Sequence, residues 1–259
     1  MTKLQNFLKD SSSSNRANYA IISYSGGMDS TCLALELLSR KYEVRTISFD
    51  YGQSHSIELK RAKQNIKYLQ RLGLPITHQV INLRDVFSDS TSCLVTGDHA
   101  PEGHYEDSNM KTTVVSNRNI IFSSIIFSKA LDWAKRLNHP VVISLGVHAG
   151  DHAIYPDCTE ESVNMAKELY RISNWDSELV EYEAPFVDFS KAEVLNCGGS
   201  AAKLMGLTKS QFNKIMKNTI SCYNANETGL SCGKCGTCTE RLEAFAANGL
   251  KDPAPYTTM

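Results

Sequence analysis

Residues 20–33 read Ala20-Ile21-Ile22-Ser23-Tyr24-Ser25-Gly26-Gly27-Met28-Asp29-Ser30-Thr31-Cys32-Leu33, and this stretch decides the fold. Residues 20–24 form an apolar run of strand length. Two glycines break it, and Leu33, Leu37 and Leu38 then recur at helical spacing. A strand, a glycine turn and a helix make an anion site, because the first helix amides point outward and glycine lets a charged group come close. Ser25 and Ser30 add hydroxyls, and Asp29 adds a carboxylate suited to Mg²⁺. The lysine of G-x-x-x-x-G-K-[ST] is missing, and the string is not G-x-G-x-x-G. A plain strand-to-helix turn would use the same glycines, with Asp29 as a first-turn helix carboxylate.

The pattern repeats outward. Residues 44–50 read as a second strand, 54–72 as a helix, and 76–83 as a third strand. A long polar stretch, 85–113, precedes a helix at 117–137 and an apolar strand at 141–147. A helix is expected at 159–171. Ser190 to Glu193 and Thr208 to Gln211 have capping-box spacing, and a short helix is expected at 239–247. Strands alternating with helices predict an α/β fold, a Rossmann-like parallel sheet with helices on both faces. The expected division is a polar tail at 1–18, the sheet domain at 19–200 and a helical metal-binding region at 201–259.

The chain has 259 residues, and 27 basic against 28 acidic side chains leave a formal charge of -1. That balance offers no broad basic face, so direct nucleic-acid binding is not expected. No apolar run is long enough to span a bilayer, and residues 1–18 lack the apolar core of a secretory signal. The expected location is the cytoplasm, where clustered cysteines favour metal over disulfides.

Cys222, Cys232, Cys235 and Cys238 crowd one segment, with Gly233 and Gly236 between them. Four thiolates suit a closed, structural Zn²⁺ site. C-x₂-C-x₂-C is also the start of a bacterial ferredoxin motif, although the C-x₃-C-P continuation is absent. A disulfide pair is the third reading.

The string SGGMDS resembles the phosphate loop of the ATP pyrophosphatases, which adenylate a substrate oxygen and release pyrophosphate. A longer ordered set comprises SGGMDST, FDYGQSHSIEL, PEGHYEDSNMKTTVV, NRN, YPDC, KAE and SCYN with CGKCGTC. It resembles the 7-cyano-7-deazaguanine synthase family of queuosine precursor biosynthesis over roughly residues 20–249. The resemblance implies conversion of 7-carboxy-7-deazaguanine and ammonium to the nitrile. ATP, Mg²⁺ and Zn²⁺ would be the cofactors, and a homodimer the assembly. One ATP would adenylate the acid and ammonia would give the amide. A second ATP would activate the amide, and loss of AMP would leave the nitrile.

On this reading Tyr24 to Leu33 and Asp50 hold the nucleotide, with Cys32 packing against it. Asp29, Arg118 and Lys191 carry the chemistry. Arg118 brings a guanidinium fork to phosphate or carboxylate, and Lys191 neutralises developing charge. Gln53, His55, Asn119, Tyr155 and Asp157 face the substrate, Asp157 accepting from the amino edge of the base. Pro156 and Cys158 would line the same pocket, and His104 and Tyr105 would close over it.

The chain departs from the family pattern at Ser116, where proline is usual, and at Thr159, where arginine is usual. The spacing from Cys222 to Cys232 is slightly long, and the N-terminal tail is extra. These departures bear on the acceptor more than on the ATP chemistry. The competing readings are a related adenylating enzyme that joins the carboxylate to another amine, and a catalytically silent nucleotide- or zinc-binding module.

Overall fold

A computed structural model describes residues 18–54, 56–104 and 108–257. Five strands form one sheet: β1 (Asn18–Ser23), β2 (Tyr42–Asp50), β3 (Ile76–Asn82), β4 (Val141–Ser144) and β5 (Val180–Glu183). Their order is β3-β2-β1-β4-β5, and every pairing is parallel. The longer helices are α1 (Met28–Ser39), α2 (Ile57–Arg71), α3 (Arg118–Leu137), α4 (Glu160–Ser173), α5 (Lys191–Leu204), α6 (Lys209–Lys217) and α7 (Gly236–Ala247).

Side chains alternate across a strand, and the two cores follow that parity. Ala20, Ile22, Val44 and Val142 face one core, filled by α1, α2, α5, α6 and α7. Ile21, Ile47, Phe49, Val141 and Ile143 face the other, filled by α3, α4 and the segment around Phe87 to Val115. The connection after β1 therefore runs on one face and the one after β3 on the other. Strand order reverses at β1 and β4, and a crevice opens beyond their carboxyl ends, where ligands bind in such sheets.

Several boundaries differ from the sequence expectation. β4 stops at Ser144, because Leu145, Gly146 and Val147 leave the sheet to rim the crevice. β5 was not expected. It is an edge strand in which only Tyr182 is fully buried, so its hydrophobic signal is thin. The 85–113 stretch holds short helical turns at Arg84–Phe87, Cys93–Thr96 and Ser108–Thr113. Both capping boxes form, at Ser190 and at Thr208. Among the described residues no helix is long and apolar enough to cross a membrane.

α1 and α5 pack at Cys32 and Gly198, where a methyl on the glycine would meet the Cys32 Sγ at 2.5 Å. One turn further along α1, Glu36 is fully buried. Its Oε1 lies 3.4 Å from Arg40, while Oε2 has no hydrogen-bond partner. Burial raises its pKa to about 7, against the pull of Arg40. A carboxyl raised in the folded state stabilises fully below its unfolded value, and that contribution is lost as pH rises through about 7. Glu36→Gln removes this titration. The wild-type minus variant stability should fall by roughly 3 kcal/mol between pH 4.5 and 7.5, read by denaturant titration.

Candidate active site

The loop after β1 is built from its own polar groups. Gly26 has φ +85°, a conformation that admits little but glycine, and a side chain there would strike Ala62 and the Glu58 carbonyl of α2. The Gly27 amide donates to Ser25 Oγ at 3.1 Å, and Ser25 Oγ lies 3.1 Å from Ser30 Oγ. Gly27 occupies the N-cap of α1 without a side-chain cap, which leaves amides for an anion.

Ser25, Gly27, Asp29 and Ser30 open onto a cavity of about 200 Å³. Tyr24 also lines it, although its hydroxyl turns inward to Thr31 Oγ1 at 3.0 Å and receives Asn65 Nδ2 at 3.3 Å. Thr31, Cys32 and Leu33, expected beside the nucleotide, do not line this cavity. Thr31 Oγ1 donates to the Gly27 carbonyl at 2.8 Å, Leu33 is core, and Cys32 packs on Gly198 with its thiol pushed well up by burial. Met28 has a buried side chain, and its amide donates to Ser221 Oγ at 3.3 Å. Asp50 lies outside the cavity, on the β2 end, held by Arg84 at 2.9 Å.

Lys191 is the first residue of α5. It is buried, with Nζ 2.8 Å from Glu240 Oε2 and 3.7 Å from Asp29 Oδ2. Burial opposes its charge, but Asp29 and Glu240 outweigh that and raise its pKa. Asp29 Oδ1 is buried with no hydrogen-bond partner. A bound magnesium ion would satisfy that orphaned oxygen.

Arg118, at the start of α3, lines the same cavity. Burial works against its charge, yet Tyr51, Tyr155 and Tyr223 raise its pKa above the ordinary arginine value. Its guanidinium lies 5.8 Å from the Tyr51 ring centre and 5.9 Å from that of Tyr155. Among the described residues no carboxylate forms an ion pair with it. Phe49 and Phe122, stacked at 4.0 Å, supply a flat apolar wall.

Asn119 and Tyr155 line the cavity, whereas Asp157 does not. Its two oxygens accept from the Asn119 backbone and side-chain amides, each at 3.2 Å, so it orients Asn119. Gln53 also sits behind the wall. It receives the Tyr51 amide at 2.8 Å and donates to Phe49 O at 3.0 Å and Glu58 Oε1 at 2.8 Å. Glu58 itself lines the cavity, and burial lifts its pKa to about 7. His104 is exposed beside Glu243 at 4.0 Å and does not close the cavity. His55 and Tyr105 lie outside the described residues. Thr159 caps α4, accepting from Ser162 N at 3.2 Å.

The sequence reading missed Glu58, Ser221, Tyr223, Thr237 and Glu240. Four of these come from the segment around the cysteines. Ile220 N donates to Gly26 O at 3.1 Å, Tyr223 OH lies 3.0 Å from Tyr155 OH, and Thr237 lines the cavity beside Cys235. The Cys222, Cys232, Cys235 and Cys238 sulfurs all lie within 4.8 Å of one another. Cys222 to Cys235 and Cys232 to Cys238 are each 4.0 Å apart, far beyond a disulfide. Thiolates about 2.3 Å from one tetrahedral ion stand roughly 3.8 Å apart, so the four sulfurs can hold a single metal.

A family model described as queuosine biosynthesis protein QueC matches residues 19–249. The chain belongs to the QueC family. It is 41% identical over 238 residues to the 7-cyano-7-deazaguanine synthase of Marinomonas sp. (strain MWYL1), covering 92% of this chain and 97% of that one. Against the protein of that name from Methanoregula boonei it is 39% identical, covering 92% and 98%. Among solved structures, NMN synthetase from Francisella tularensis aligns with a TM-score of 0.41 at 14% identity, over 96% of this chain and 84% of that one. The QueC match therefore spans the phosphate loop, Arg118, Lys191 and all four cysteines.

Proposed function

We propose that this chain converts 7-carboxy-7-deazaguanine and ammonium to 7-cyano-7-deazaguanine at the expense of two ATP. One observation carries the reading. A single cavity joins a phosphate loop, with Asp29 and Lys191, to an arginine that has no acidic partner of its own. Such a cavity suits a substrate whose carboxylate must meet the α-phosphate of ATP.

Arg118 holds the carboxylate, and one of its oxygens attacks the α-phosphorus as the bond to pyrophosphate breaks. The loop amides and Lys191 meet the charge gathering on the phosphates. Ammonia then attacks the acyl carbon, AMP leaves, and a proton is released to give the amide. In the second round the amide oxygen attacks a fresh ATP. Departure of AMP, with loss of two protons from nitrogen, forms the nitrile. Asp29 would hold magnesium, which supplies charge neutralisation on the phosphates. The four cysteines fit zinc, which supplies structural closure. The family's homodimer belongs to the same reading, and α4 supports it with an exposed apolar stripe of Met165, Leu169 and Ile172.

Mass spectrometry of the purified protein with ATP, Mg²⁺, ammonium and the carboxylate tests this. The expected result is the nitrile, with two AMP and two pyrophosphate per turnover. ATP-dependent loss of the carboxylate into a conjugate with another amine would instead establish the competing ligase. No ATP-dependent loss of the carboxylate would overturn both.

A further inference from the structure

We propose that Glu58 reads the N–H donor edge of the base and, together with Arg118 on the same cavity, fixes which way round the substrate lies. The inference rests on the function proposed above and names the residue that selects its substrate.

Three acids of the described residues line the cavity: Asp29, Asp151 and Glu58. Asp29 belongs to the phosphate loop and faces Lys191 at 3.7 Å. Asp151 is taken up by a capping box, accepting from His148 N at 3.2 Å. Glu58 alone has no cation within ion-pair distance. It is nevertheless held firmly. Gln53 donates to Oε1 at 2.8 Å, and Gln53 is itself fixed by Tyr51 N and Phe49 O. A braced carboxylate with unused acceptor capacity lines the same cavity as Arg118, which forms no ion pair among the described residues.

A 7-carboxy-7-deazaguanine is the inverse of that pair. Its carboxylate sits on the five-membered ring. N1–H and the exocyclic amino group form two parallel donors on the far edge of the six-membered ring. A carboxylate accepts both. Adenine presents one donor and one acceptor on the corresponding edge, so a carboxylate that accepts twice suits the deazaguanine rather than the nucleotide. The stacked Phe49 and Phe122 wall lies in the same cavity, apolar surface for a flat ring. Asp157, which the sequence favoured for this task, has both oxygens engaged by Asn119.

Glu58→Gln tests the assignment. It keeps an oxygen for Gln53 but turns an amide donor toward the base's own donors. Steady-state kinetics would compare 7-carboxy-7-deazaguanine with its analogue lacking the 2-amino group, in both proteins. The wild type should prefer the amino-bearing base by about 100-fold in kcat/KM, the scale of lost hydrogen bonds to a charged group. The variant should raise KM for that base about 30-fold or more, bring the two bases within about threefold, and keep the ATP KM within about twofold. The ratio is taken within one preparation, so partial misfolding does not mimic it. A variant that retains the wild-type preference overturns the assignment. A variant whose defect lies in the ATP KM assigns Glu58 to the nucleotide instead and also overturns it. If the wild type turns over neither base, the proposed function fails first.

Discussion

Lys191→Met is expected to lower kcat by about 10²–10³-fold with a modest change in the KM for ATP, the scale seen when one donor to developing charge is removed. Lys191 is buried, at the end of a capped helix, and its ammonium lies between Asp29 and Glu240. Its charge is therefore in place before substrate arrives. Methionine of similar length keeps the packing but leaves two acids facing each other, so some loss of stability should accompany the kinetic defect. Lys191→Arg should rescue poorly, because a planar fork does not fit where a compact ammonium sits. Pre-steady-state quench with labelled ATP measures the adenylation step directly. A variant with normal adenylation but slow release of product would remove Lys191 from the chemistry.

Cys235→Ser should be as damaging, through a different route. Cys235 is fully buried and caps α7, and its sulfur lies 4.0 Å from that of Cys222. The segment around the cysteines carries Ile220 and Ser221 to the loop after β1, Tyr223 to Tyr155, and Glu240 to Lys191. Loss of the metal frees one side of the active site. The expected outcome is loss of bound metal by elemental analysis, a fall in Tm of about 10 °C or more, and activity below about 1% of wild type, since structural metal binding is folding energy. Retention of activity by a metal-free variant would separate the knuckle from the site.

Much of this was legible in the sequence because local pattern and tertiary role coincide. The run from Ala20 to Tyr24 is a central strand, and Gly26 needs its positive φ, so the strand, turn and helix announce themselves. The cysteines were legible by spacing. What spacing could not give was direction. Thr31, Cys32 and Leu33 adjoin the loop in sequence, but α1 turns them into the core. Asp157 adjoins Tyr155, yet Asn119 captures it. Glu58 looks like an ordinary first-turn helix acid until Gln53 is seen behind it. β5 escaped because two of its four residues are glutamates and it pairs along one edge only.

β1 lies between β2, which follows closely in the chain, and β4, which begins at Val141. The loop after β1 then waits for Ser221, and Lys191 waits for Glu240. At about 5–20 residues per second, a ribosome needs roughly ten to forty seconds to make the chain from Ser30 to Glu240. For that interval a nascent chain carries the loop after β1 without the late residues that pack against it, and until Val141–Ser144 emerges β1 is flanked on one side only. The two sides of the cavity can meet only once Ser221 and Glu240 have been made.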